Sequence, residues 1–146
     1  MASSPSRKSP KLFSVAEANA MLPLVRAIAS DIVNRATDLR DRQERLERIS
    51  KNERKALGEV HAAEIQQAEE DFERDQNQLQ ECVAELSRLG VELKDYFSGL
   101  VDFPSRRDNR VVYLCWRLGE ESVAHWHELD AGVAGRQKLV PDCAHA

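Results

Sequence analysis

Two long heptad stripes, separated by a polar stretch, constrain this chain more than any other feature. In the first, Ala18, Val25, Ile32, Leu39 and Leu46 hold one seam position, and Met21, Ile28, Arg35, Arg42 and Ile49 hold the other. The second stripe is Ile65, Ala68, Phe72, Asp75, Leu79, Cys82, Leu86 and Leu89. Apolar residues alternating at three and four positions share one helical face, so both stretches are expected to be helices. Ser14 and Glu17 have capping-box spacing at the start of the first. Gly90 follows the last apolar position of the second, where a left-handed C-terminal cap belongs. Pro23 removes the bond to the Asn19 carbonyl and is expected to bend the first helix there.

Residues 50–59 are polar and contain Gly58, so the chain is expected to reverse there. An antiparallel hairpin pivoting near Leu57 pairs Ile49 with Ile65, Ile32 with Cys82, and Val25 with Leu89. The first helix, from Ser14 to Ser50, would be about 55 Å long at 1.5 Å per residue. Leu39 falls opposite Asp75, with Arg35 and Arg42 about a turn to either side. Asp75 is therefore expected to pair with one or both arginines, fixing register more than adding stability. The alternative is that all three are solvated flank residues. A narrow stripe on each helix also suits a four-helix bundle, so a homodimer or a protein partner is expected at this seam.

Charged residues make up 32% and aromatic residues 5%, with 21 basic against 25 acidic and a formal charge of −4. The signs alternate rather than forming a basic stripe, which argues against nucleic acid as a partner. No apolar run approaches the roughly 20 residues that span a bilayer. Cys82, Cys115 and Cys143 show no paired spacing and, with no secretory signal, read as reduced thiols of a cytoplasmic protein. The 146 residues fit one domain. Residues 1–12, rich in Ser, Pro, Lys and Arg, are expected to be a disordered lead. Residues 13–136 are expected to form the domain, with the hairpin at 14–90 and a sheet at 91–130. Residues 137–146 are expected to be a tail.

After Gly90 the period changes. Short strands are expected at 91–94 and 100–103, the latter stopped by Pro104, with a polar loop at 105–110. A strongly β-prone run covers 111–117, Gly119 and Glu120 supply a two-residue turn, and 122–128 returns. The fold class is therefore α+β: a long antiparallel helical hairpin followed by a small antiparallel β-meander. That turn places Trp116 opposite Val123, Leu114 opposite His125, and Val112 opposite His127, with Asp102 opposite Val112. Tyr113, Cys115 and Trp126 then lie on the other face.

Asp102, His125 and His127 are a ligand set that a divalent metal such as zinc, iron or manganese accepts. A His-x-His step on one strand aims both rings the same way. Asp102 and His127 would stand about 9.6 Å apart at the backbone, so bridging them needs strong twist or inward-leaning side chains. The alternatives are that His127 only hydrogen-bonds Asp102 to hold the sheet, or that the pair moves protons as a general base. Glu120, in the turn, lies about 20 Å along a regular strand from His127, too far to share an ion. Cys115, between Leu114 and Trp116, reads as a small core residue. There is no glycine-rich phosphate loop, zinc-type cysteine pair or GxSxG elbow.

These motifs resemble the family known as domain of unknown function 2203. The resemblance starts at Phe13-Ser14-Val15-Ala16-Glu17-Ala18 and Leu22-Pro23. It is most specific at Leu93-Lys94-Asp95, at Gly99 through Pro104, and at Leu114-Cys115-Trp116, Gly119-Glu120, Trp126-His127 and Gly135-Arg136. It implies a bacterial, cytosolic, metal-binding related protein with no established activity. Asp102, Glu120 and His127 fall on the family's pattern, which keeps Glu120 a candidate metal ligand beside Asp102, His127 and His125 despite its distance along a regular strand; His125 does not fall on it.

Overall fold

The structure is a computed structural model describing residues 11–48 and 62–139. The expected reversal near Leu57, the Ile49 pairing, and most of the lead and tail lie outside the described residues.

Helix α1 spans Val15–Arg48 and α2 spans Ala62–Arg88. The capping box forms as its spacing dictates: the Glu17 N–H donates to Ser14 Oγ at 3.0 Å and the Ser14 N–H donates to Glu17 Oε1 at 2.8 Å. Helix α1 runs without interruption through Pro23. At the end of α2 the Val91 N–H reaches the Leu86 carbonyl at 3.2 Å and the Gly90 N–H reaches Ser87 at 2.9 Å. Gly90 adopts φ +88°, which completes a Schellman cap. The two helices pack antiparallel. Arg42 Nη2 donates to Asp75 Oδ2 at 2.6 Å, whereas Arg35 reaches Gln78 Oε1 at 2.8 Å. Of the two seam arginines, Arg42 alone takes Asp75, and it also bridges to Asp38 at 2.9 Å.

A five-stranded antiparallel sheet follows the helices, in the order β1 (Glu92–Asp95), β2 (Leu100–Arg107), β3 (Arg110–Arg117), β4 (His125–Glu128), β5 (Gln137–Lys138). The fifth strand lies in the segment expected to be tail. One sheet face packs on α1, where Val101, Phe103, Leu114, Trp116 and Trp126 join Ala18, Val25, Ile28 and Ile32 in a single apolar core. Phe13 enters the same core edge-on to Phe103, with ring centroids 5.3 Å apart.

The sheet departs from the expected register for two local reasons. Strand β2 continues through Pro104 instead of stopping, because β1 has already ended and no ladder needs the missing N–H. On that side the Pro104 carbonyl accepts from the Phe13 N–H at 2.7 Å. The hairpin then closes at Asp108 and Asn109, both with positive φ (51° and 64°), the backbone of a tight two-residue turn. The expected loop at 105–110 is therefore mostly strand. Conversely, Gly119-Glu120 is not a two-residue hairpin, and residues 118–124 form an irregular connection.

The observed rungs pair Asp102 with Cys115, Cys115 with His125, Tyr113 with His127, and Leu114 with Trp126. This differs from the expected register by an odd number of residues on both sides of β3. Because side chains alternate at period two, an odd slip exchanges faces. Cys115 and Tyr113 thus join Asp102 and His127, and Trp126 joins the core. Val112 does not stand between Asp102 and His127.

Candidate metal centre

The sheet face turned away from the helices carries Asp102 from β2, Cys115 from β3 and His127 from β4. Their relative exposures are 1%, 0% and 2%, so these three residues are as dry as the core. A carboxylate oxygen, the thiol sulfur and an imidazole nitrogen of these three all lie within 4.8 Å of one another. His127 Nε2 sits 3.0 Å from both Asp102 oxygens. His127 Nδ1 lies 2.8 Å from the Glu128 carbonyl, which can only accept, so Nδ1 carries a proton. The Nε2 side of the ring is left to face the cluster. Tyr113 covers the ring from one side at a centroid distance of 5.4 Å, and its hydroxyl is anchored 3.0 Å from Glu92.

Burial pushes the Asp102 carboxyl up against the opposing pull of His127 and Lys94. Burial, together with the neighbouring Asp102 charge, pushes the Cys115 thiol up to about 11. Both groups therefore resist ionising while the centre holds only protons. A divalent cation reverses that preference by supplying the missing positive charge.

Glu120 and His125 stand at the outer end of the same polar line. The irregular connection folds Glu120 back onto the sheet, contrary to its expected distance in a regular hairpin. Its carbonyl accepts from Trp116 Nε1 at 3.0 Å, and its carboxylate accepts from the Arg117 N–H at 2.8 Å. Arg136 closes on that carboxylate with two bonds, at 3.0 and 2.9 Å. This bidentate pair and the Arg117 bond hold the Glu120 carboxyl below the usual range against the opposing effect of burial. His125 Nδ1 lies 3.9 Å from Glu120 Oε2, beyond hydrogen-bond reach. The structure thus brings Asp102 and His127 together and adds Cys115, while Glu120 is taken by Arg136 and His125, the cross-strand neighbour of Cys115, makes no hydrogen bond through Nδ1.

The sequence model of a family described as an uncharacterized conserved protein (DUF2203) matches residues 11–139. The chain belongs to the DUF2203 family. No curated protein and no solved structure matches it. The DUF2203 match contains the whole cluster, together with the Glu120–Arg136 pair. From the sequence Cys115 reads as a small core residue, and Arg136 enters only through the family resemblance. The signal for Cys115 was the near-continuous apolar character of both Leu100-Val101-Asp102-Phe103-Pro104 and Val111-Val112-Tyr113-Leu114-Cys115-Trp116. Such runs mark strands covered on both faces, so polar residues inside them are buried together.

Proposed function

We propose that this DUF2203 protein binds one divalent transition metal through Asp102, Cys115 and His127. The observation that carries the proposal is the convergence of these three donor atoms within 4.8 Å in a sealed position. The His127 Nδ1 bond to a backbone carbonyl supports it, because that bond fixes the ring with Nε2 available as the ligand atom. A carboxylate, a thiolate and a neutral imidazole carry two negative charges together, which a divalent ion neutralises. Nitrogen, oxygen and sulfur donors in one site suit zinc first, then iron; a thiolate disfavours manganese. Three protein ligands leave a fourth position for water or a small ligand, and the proposal assigns no reaction to it. A thiolate ligand needs a compartment that keeps thiols reduced, in keeping with the bacterial cytoplasm that the family resemblance implies.

Elemental mass spectrometry of tag-free protein tests this directly. Near-stoichiometric zinc or iron is expected, lost in His127→Ala and Cys115→Ser and kept in His125→Ala. Full retention in His127→Ala overturns the assignment.

A second reading, an interaction module that dimerises through the helical hairpin, rests on a groove of about 400 Å³. It is lined by Leu46, Ala68 and Phe72 together with Arg42, Arg45 and Asp71. Charge reversal in Asp75→Lys is expected to change the sedimenting mass while the sheet stays folded. An unchanged mass removes this reading.

A further inference from the structure

We propose that His125 is the fourth ligand of the Asp102–Cys115–His127 centre, positioned by Glu120, so that four protein side chains close the site around the cation. The proposal rests on the metal reading for its cation and on the register of β3 and β4 for its geometry.

His125 and His127 stand two residues apart on β4, so both side chains leave the sheet on the face that carries Asp102 and Cys115. The register makes His125 the nearer of the two to the thiol. Cys115 pairs directly with His125, whereas His127 pairs with Tyr113 and meets Cys115 only across the diagonal. Direct partners have Cβ atoms about 5 Å apart, against up to about 7–8 Å on the diagonal. Even so, the diagonal ring brings a nitrogen within 4.8 Å of the thiol and the carboxylate. The direct neighbour has the shorter path, and the orientation of its ring is what keeps it outside that group.

That orientation is weakly held. His127 has both ring nitrogens engaged, one by the Glu128 carbonyl and one by Asp102. His125 Nδ1 is buried with no hydrogen-bond partner, 3.9 Å from Glu120 Oε2, while the side chain as a whole keeps 26% exposure. A buried orphan nitrogen is a cost, and no bond through Nδ1 has to break before the ring turns. A turn that sets Nε2 on a cation at about 2.0–2.1 Å, with the Nδ1–H donating to Glu120, satisfies both nitrogens. His127 already has this arrangement, with Nδ1 on an oxygen acceptor and Nε2 towards the centre. Glu120 is a positioning residue in this role. The Arg117 N–H and the bidentate contact with Arg136 hold its carboxylate in place.

One oxygen, one sulfur and two nitrogens are the complement of a tetrahedral, closed zinc site. Such a centre fastens β2, β3 and β4 to one another and leaves no position for a reacting molecule.

Cobalt(II) bound to the full chain reports the coordination. The parent is expected to show the intense visible bands of a four-coordinate ion with a thiolate charge-transfer band, unmoved by added azide. His125→Ala should still take up cobalt. Its bands should shift with azide, and added imidazole should restore the parent spectrum by filling the vacated position. Zinc affinity, read by competition with a chelating dye, is expected to fall about 10–100-fold in His125→Ala and about tenfold in Glu120→Gln, with stoichiometry unchanged. Circular dichroism of the metal-free variants separates these losses from unfolding. A parent spectrum that shifts with azide, or equal spectra and affinities in parent and His125→Ala, overturns the fourth ligand and leaves the three-ligand reading standing. Unchanged affinity in Glu120→Gln overturns the role of Glu120. A parent that binds neither ion overturns the metal reading, and this proposal with it.

Discussion

On the side of the sheet that meets the helices, Val101, Phe103, Leu114 and Trp116 are buried among apolar neighbours. On the opposite side, one residue along the same strands, Asp102 and Cys115 are buried to the same degree and His127 joins them from β4. Burying the first set is favourable, at about 25 cal/mol for each Å² of apolar area removed from water. Burying a carboxylate, a thiol and an imidazole is a cost, only partly recovered by their mutual hydrogen bonds. A small domain with a marginal balance has no thermodynamic reason to make its second face this way. The difference teaches that equal burial on two faces can have opposite causes. The front is dry because water is expelled by packing, whereas the rear is dry around groups that attract cations and protons.

The sharpest break in the comparison comes from the front. Phe103→Ala removes a fully buried ring packed edge-on against Phe13. It is expected to cost about 3–5 kcal/mol in denaturant unfolding followed by circular dichroism. A loss below about 1 kcal/mol would mean that the front face is not what holds the sheet on α1.

The rear face should reveal itself through pH. The Cys115 thiol is pushed up to about 11 in the folded protein, mainly by burial. A raised folded value means that the native state holds its proton more tightly than the unfolded chain does. The associated stability is complete below the ordinary thiol range and is lost as pH rises through that range towards about 11. Relative to Cys115→Ala, metal-free protein is expected to lose about 2 kcal/mol more between pH 8 and 11, read from urea midpoints. Parallel curves would show that the thiol is not sealed. Bound metal is expected to flatten the difference, because the ligand is then already a thiolate.

The helical half of this fold was legible in the sequence because both of its signals are local. The heptads gave the buried residues Ala18, Val25, Ile28, Ile32 and Leu39, and the antiparallel register brought Arg42 to Asp75. The existence of a meander was also legible from alternation and turn residues. Its register was not. Pro104 carries the local signature of a strand stop, yet its missing N–H faces a side with no partner strand; Gly119 carries that of a two-residue hairpin, yet the chain there makes an irregular excursion. Each resulting slip in register is odd, so it exchanges the faces of Cys115 and Tyr113 while Asp102 and His127 keep theirs. Arg136 depended on β5, a two-residue strand with no pattern of its own. A polar site assembled from three strands is a long-range object, and local periodicity constrains it weakly.

Asp102→Asn separates the rear face's chemistry from its packing. The amide keeps the shape and can donate to His127 Nε2 while Nδ1 still bonds Glu128. Metal-free stability is expected to stay within about 1 kcal/mol of the parent, because a satisfied hydrogen bond replaces another. Metal retention is expected to vanish, since an uncharged amide leaves the ion unneutralised. A stability loss as large as that of Phe103→Ala, with metal kept, would make the rear face a second core and not a site.

The smallest effect belongs to the hairpin, where a polar pair is neither sealed nor fully solvated. Arg42 and Asp75 retain 24% and 30% side-chain exposure at 2.6 Å separation, and Arg42 keeps a second carboxylate, Asp38, at 2.9 Å. Solvent screening and this alternative partner together should hold the cost of Asp75→Ala to about 0.5 kcal/mol, measured by thermal and urea unfolding. The Arg42 Nε is already buried without a partner, so removing Asp75 adds no new orphan at that atom. A cost above about 2 kcal/mol would mean that the seam excludes water as completely as the sheet does. In that case the contrast between a dry, ligand-holding sheet and a screened, register-setting hairpin would no longer describe this protein.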